Sequence, residues 1–131
     1  MRDEIQLLQL FICQEFQQEQ RDYFTAERIH SNVYVAQFPH YFPKLYVVTC
    51  WRKDQRFHKE VIEYATDYGT STRSPHMDVE PVTDSVFFRW HKHPFPSNFP
   101  IVKPAVLTLR VILDAQLVFE SYLLIEKSPA G

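Results

Sequence analysis

Glycine is scarce in this sequence: only two of its 131 residues are glycine, Gly69 and the terminal Gly131. Motifs that bind phosphates through a glycine-rich loop need several glycines within a short segment, so the P-loop and the dinucleotide-binding fingerprint are excluded. The G-x-S-x-G turn that carries a hydrolase nucleophile is excluded for the same reason. The composition therefore removes a large part of nucleotide-dependent and serine-hydrolase chemistry.

A strong net charge is also lacking. Fourteen Lys and Arg against sixteen Asp and Glu give a formal charge of -2, whereas proteins that bind nucleic acid usually present a basic surface. The densest basic segment, residues 52–59, is interrupted by Asp54 and followed by Glu60 and Glu63. We interpret this segment as a solvated turn and strand face, and we expect no nucleic-acid partner.

Long apolar runs are missing as well. The longest, residues 5–13, is far shorter than the ~18 residues that a membrane span needs, and the residues before it include charged side chains without a signal-peptide pattern. We therefore expect no membrane partner and a cytoplasmic location. Cys13 and Cys50 each lie in an apolar run, so we predict buried free thiols that are neither bridged nor nucleophilic.

The length predicts one domain over residues 1–131. Short β-rich runs separated by many of the nine prolines predict an all-β fold, an antiparallel two-sheet β-sandwich of the Greek-key or immunoglobulin-like kind with seven to eight strands. The clearest pair is 105–113 with 117–126, where apolar residues alternate on either side of a tight reversal at 114–116. We predict a hairpin there.

The other strands have weaker patterns. We predict a second pair of strands, 45–52 with 57–66, followed by a turn in which Gly69 adopts a positive φ. For residues 5–13 both helical and strand periodicities are present, and we favour a strand followed by a loop. Three shorter strands complete the prediction: 33–38, 76–80 and 86–91.

Two histidines two residues apart provide the strongest chemical pattern. His91 and His93 point the same way if residues 86–93 are extended, and the nearby segment alternates His76, Asp78 and Glu80. An assumed hairpin places His76 opposite His91. These side chains would suit a divalent transition metal such as zinc, which is the alternative to our leading expectation of no cofactor. The H-x-H spacing is that of a cupin, but the glutamate and glycines of that motif are absent.

Aromatic residues make up 15% of the chain, and several lie in two proline-rich loops, 38–43 and 94–100. Rings on stiff loops are typical of binding surfaces. The predicted binding residues are Tyr41, Phe42, Phe95 and Phe99. The alternative is that these loops close the open end of the sandwich core.

No catalytic residues are predicted. Two candidate carboxylate pairs, Glu60 with Glu63 and Glu120 with Glu126, lie at regular strand positions, and we interpret them as solvent-facing. The sequence therefore favours a protein that is not an enzyme.

The order of the segments Leu10-Phe11-Ile12-Cys13, Phe38-Pro39 and Leu45-Tyr46-Val47-Val48, with the hairpin at residues 107–122, resembles a group of small uncharacterised bacterial β-sandwich proteins of unknown function. The likeness rests on pattern, and the proline-rich insert at 94–104 departs from it. It implies a sandwich fold and assigns no site. From the residues themselves we predict a non-enzymatic module that acts through self-association or protein binding, with a metal-binding protein or a carbohydrate-binding module as alternatives.

Overall fold

The structure, a computed structural model, describes residues 4–20, 23–83 and 85–129. These ranges form ten strands in two sheets that are not closed into a barrel. The strands are β1 (Gln6–Gln20), β2 (Tyr23–Ile29), β3 (Asn32–Val35), β4 (Tyr46–Arg52), β5 (His58–Thr66), β6 (Ser71–Arg73), β7 (Met77–Val79), β8 (Phe88–Pro94), β9 (Ala105–Leu113) and β10 (Gln116–Lys127). The predicted all-β sandwich is confirmed. In the described ranges, no helix has the length and apolar character that a membrane crossing requires.

The smaller sheet has four strands in the order β2-β1-β4-β8. Strand β1 is long because its first half pairs with β4 and its second half with β2. The loop predicted after residue 13 is therefore wrong, and β2 was not predicted. Phe16 of β1 stacks on Phe24 of β2 with ring centroids 5.0 Å apart, and both rings contact Trp90. This aromatic packing holds the polar second half of β1 in an extended ribbon.

The larger sheet has six strands, with β3-β10-β9-β5-β6 in order and β7 paired to β5 beside β6. The β9–β10 hairpin is confirmed, and its turn residues Asp114 and Ala115 have φ values of 51° and 67°. Gly69 has a φ of +99°, as predicted. Strand β3 pairs with β10 in parallel, whereas the other pairs among the described strands are antiparallel.

Two predicted pairings are wrong. Strands β4 and β5 do not form a hairpin, because the chain crosses from the smaller sheet to the larger one between them. Strand β8 pairs with β4, where Thr49 faces His91, and not with the segment that contains His76. These crossings bring β5 of one sheet against β4 and β8 of the other.

The main core lies between the two sheets and is closed at one end by the proline-rich loops. Phe42 and Phe99 each contact Phe95, and Phe95 contacts Tyr64 of β5 with ring centroids 5.1 Å apart. All four rings are buried. The loops therefore pack into the sandwich, which is the alternative that the sequence analysis left open.

Candidate functional site

Strand β5 turns a largely polar face into the core. The buried residues of this face alternate along the strand: His58, Glu60, Ile62, Tyr64 and Thr66. Glu60 is 0% exposed. Because side chains alternate with a period of two along a strand, Glu60 must share the interior with Ile62 and Tyr64. The interpretation of Glu60 as solvent-facing is wrong, and so is that of 52–59 as wholly solvated, since Lys53 and Asp54 are buried too.

Four donors from the opposite sheet converge on this glutamate. Thr49 Oγ1 donates to Oε1 of Glu60 over 2.9 Å, and Trp51 Nε1 donates to Oε2 over 2.8 Å. His91 Nδ1 and His93 Nε2 lie 2.5 Å and 2.8 Å from the same Oε1. All of these side chains are buried, so one carboxylate links the larger sheet to the smaller one.

The charge of Glu60 is stabilised by its partners. Burial alone raises the pKa of a carboxyl group, but the hydrogen bonds and charges of His91 and His93 outweigh this and lower the pKa of Glu60 to about 2. The side chain is therefore an ionised carboxylate at neutral pH. An anion in the core must be paired or coordinated, because an isolated charge there costs several kcal/mol.

Some polar atoms of the side chains around Glu60 have further hydrogen-bond partners, and others have none. His91 Nε2 lies 3.0 Å from the backbone oxygen of Asp78 and 3.4 Å from Arg89 Nε. Among the described residues, neither His93 Nδ1 nor the buried hydroxyl of Tyr64 has a hydrogen-bond partner. Burial, and then the charge of Glu60, raises the pKa of Tyr64. Buried polar atoms without partners are rare, and one of these two belongs to a ring that contacts Glu60.

The three converging groups have the chemistry of metal ligands. One ligand atom each from Glu60, His91 and His93 lies within 4.8 Å of the others. Two imidazoles and a carboxylate suit zinc and ferrous iron. Within the part of the chain that the structure describes, these three form the single group of three or more His, Cys, Asp or Glu side chains at such spacing. We call them the inter-sheet cluster.

The predicted histidines have different positions. His91 and His93 do point the same way, as predicted, but into the core and not to solvent. His76 lies outside the inter-sheet cluster: its ring is largely exposed, and its Nε2 is 3.7 Å from Asp78 Oδ1. Sequence reasoning missed Glu60 as their partner, although its alternation with two large apolar residues was a usable signal.

A second histidine cluster lies on the same strand. His58 Nε2 is 2.9 Å from Asp54 Oδ1, and its Nδ1 is 2.6 Å from Asp114 Oδ2. Burial tends to lower the pKa of His58, but hydrogen bonds to Asp114 and Asp54 outweigh it and raise the pKa. Each ring nitrogen faces a different carboxylate, and the ligand atoms do not converge on a common point.

The predicted aromatic binding residues are mostly inside. Phe42, Phe95 and Phe99 are buried, while Tyr41 is 53% exposed. Cys13 and Cys50 are buried and free, as predicted, and burial raises the pKa of Cys50 to about 11. These thiols are therefore protonated at neutral pH.

An open groove of about 710 Å³ lies between the two sheets on the side away from β8. Its apolar lining includes Leu7, Leu8 and Leu10 of β1 and Val118 and Phe119 of β10. Several of these side chains are exposed, Phe119 to 46%. Exposed apolar side chains gathered in one groove are typical of a contact surface.

Both strands that border the groove have an edge without a neighbour. Strand β2 pairs with β1 only from residue 13 onward, and β3 pairs with β10 only over 124–127. Within the described ranges, no strand pairs with the outer edge of residues 6–11 or of 116–123. Unpaired N–H and C=O groups on such edges are templates for an added strand.

No protein-family model matches the chain, and no curated protein matches it. The resemblance to a bacterial β-sandwich group therefore stays a prediction.

Proposed function

We propose that this chain is a protein-binding module that associates with a second copy of itself by strand addition along β10. The observation that carries the proposal is the groove bordered by two unpaired strand edges. In this binding mode main-chain hydrogen bonds supply affinity, and side chains at alternate positions supply specificity.

The free edge of β10 lacks the basic and proline residues that prevent edge strands from pairing. Residues 117–123 contain no lysine, arginine or proline, and the carboxylate of their one charged residue, Glu120, accepts a hydrogen bond from Arg110 Nε over 2.8 Å. By contrast, the edge strand β8 carries Arg89, Lys92 and Pro94, and β6 has only three residues. Short, charged or proline-bearing edges resist pairing. The β10 edge is therefore the one suited to contact.

A second copy fits this edge because an antiparallel pair of identical strands has a two-fold axis. Each copy then supplies the same segment, and one interface satisfies the free main-chain groups of both. The pairing also covers side chains that are exposed in the single chain. These are Leu117, Val118, Phe119 and Tyr122. A β-bulge at Val118 directs an additional apolar side chain toward the groove.

The test is the oligomeric state of wild type and of two lysine variants, measured by sedimentation velocity at micromolar concentration. Phe119→Lys places a charge in the groove, and we expect it to be a monomer while wild type is a dimer. Phe87→Lys is the matched control, because Phe87 is 51% exposed and lies away from β10, and it should remain a dimer. A monomeric wild type, or a dimeric Phe119→Lys, would contradict the proposal.

Hydrogen exchange gives a second readout that does not depend on a variant. Amides of residues 117–123 on the free edge should exchange more slowly at high protein concentration than after dilution, whereas those of β8 should not change. The cytoplasmic location and the absence of enzymatic activity stay predictions. Carbohydrate binding has less support, because only Tyr41 of the four predicted binding residues is exposed and the other three rings are buried.

A further inference from the structure

We propose that Glu60 Oε1, His91 Nδ1 and His93 Nε2 bind one divalent transition-metal ion between the two sheets, with zinc as the ion best suited to the site. This site is separate from the groove and does not depend on self-association.

The ligand atoms already lie close together. His91 Nδ1 and His93 Nε2 are 2.5 Å and 2.8 Å from Oε1 of Glu60, and each of the three residues places one ligand atom within 4.8 Å of the others. Tetrahedral zinc with bonds of about 2.0–2.1 Å places neighbouring ligand atoms about 3.3 Å apart. The side chains of His91 and His93 would therefore move outward by less than ~1 Å, which small side-chain rotations provide.

Oε1 of Glu60 is crowded by the groups that face it. A carboxylate oxygen has about two lone-pair sites, yet Oε1 of Glu60 faces Thr49, His91 and His93, while Oε2 faces Trp51 alone. When an ion binds, both imidazoles coordinate it as neutral bases without a proton at the ligating nitrogen. One lone pair of Oε1 then binds the ion and the other accepts from Thr49, so the crowding is removed.

Other contacts hold part of the cluster in place. Metal-ligating histidines commonly donate their other ring N–H to a backbone carbonyl, which fixes the ring and makes it more basic. His91 has this partner, since its Nε2 lies 3.0 Å from the backbone oxygen of Asp78, whereas Nδ1 of His93 has no partner among the described residues. Trp51 similarly orients Glu60 through Oε2.

The role of the ion follows from its position. Glu60 comes from the larger sheet and both histidines come from the smaller one, and all three are buried. Three protein ligands leave the fourth position of a tetrahedral zinc ion for a water molecule. Because the ligands come from different sheets, the ion would join the sheets and stabilise the sandwich.

The test uses the full chain without a histidine tag. After dialysis against buffer, elemental analysis should find about one divalent ion per chain, and cobalt added to the metal-free protein should give visible d–d bands at a one-to-one ratio. His93→Gln and His91→Gln should each abolish the bands. His76→Gln and His58→Gln are the matched controls and should keep them, because neither ring belongs to the inter-sheet cluster.

Two results would overturn the proposal. The first is a wild-type chain that retains no ion and shows neither cobalt bands nor a rise in melting temperature with zinc. The second is an ion that survives both His91→Gln and His93→Gln, or that His76→Gln removes, since it would then be bound elsewhere. If a core variant fails to fold, the cobalt spectrum and stoichiometry of wild type decide the question alone. Neither result bears on the dimer test.

Discussion

Glu60 and His58 lie two residues apart on β5 and face the interior, yet their surroundings are inverted. Glu60 is one carboxylate among two imidazoles, whereas His58 is one imidazole between two carboxylates. Each ring nitrogen of His58 contacts a different carboxylate oxygen, so both nitrogens have a hydrogen-bond partner. Around Glu60 two nitrogens compete for one oxygen, so ligand atoms converge. The comparison shows that the direction of the atoms, more than the residue types, separates a hydrogen-bonded network from a candidate metal centre.

The largest effect is expected for Glu60→Gln. This change removes the buried carboxylate that accepts hydrogen bonds from Thr49 and Trp51 and that faces both histidines. Hydrogen bonds to a charged group contribute about 1.5–3 kcal/mol each, so we expect a loss of about 3–5 kcal/mol. Urea unfolding of the variant and of wild type measures the difference. Glu63→Gln is the control, because Glu63 pairs with Arg73 and Arg110 near the surface and should cost under ~1 kcal/mol. Equal losses for the two variants would contradict the different roles given to them.

An intermediate effect is expected for His58→Gln. It removes hydrogen bonds to Asp54 and Asp114. A bond to a charged group contributes about 1.5–3 kcal/mol, but Asp114 is half-exposed, so we expect a total loss of about 2–3 kcal/mol. The pKa of His58 is raised in the folded protein. The protonated ring therefore contributes fully to folding stability below about pH 6.5, and this contribution is lost as the pH rises through the pKa of the folded state. The pKa values of Asp54 and Asp114 are lowered, so the contribution of these carboxylates to folding stability is lost as the pH falls below about 4.

The pH profile tests this assignment. We expect the free energy of unfolding in urea to differ most between wild type and His58→Gln near about pH 5.5. The difference should become smaller at alkaline pH. Arg56 lies at the edge of this network, with its Nε 3.8 Å from Asp54 Oδ2. A difference that grows at alkaline pH would show that the ring is neutral in the folded protein.

The smallest effect is expected for Asp114→Asn. The Asp114 side chain is half-exposed, and asparagine tolerates the positive φ of this turn. The change removes the charge toward His58 and one of the two oxygens that accept from His58 and from the Lys59 amide. We expect about 1 kcal/mol of destabilisation in the same unfolding measurement. A loss as large as that of His58→Gln would mean that Asp114 carries nearly all of the network's stability.

The sequence was informative where a strand has one clear apolar face. The β9–β10 hairpin follows from strict alternation on both sides of a tight turn. The second half of β1 was not predicted, because residues 14–20 are mostly polar and their extended form depends on β2 and Trp90. The crossing between β4 and β5 leaves no local trace either, since a short polar connection fits a hairpin equally well.

The candidate site was predictable in part. The H-x-H spacing placed His91 and His93 on one face, but nothing local indicated that this face is the inner one. Glu60 alternates with Ile62 and Tyr64, which pointed to burial, yet its pairing with the histidines arises only when the two sheets pack. His76 was included because of an assumed hairpin register that the real pairing of β8 with β4 replaces.

The most direct test of the convergence at Glu60 is the ¹⁵N NMR spectrum of the histidine rings before and after one equivalent of zinc. The account predicts that His91 Nδ1 and His93 Nε2 move to metal-bound shifts, while both nitrogens of His58 stay protonated and unchanged. Rings of His91 and His93 that do not respond to zinc, or a response at His58 or His76 instead, would contradict it.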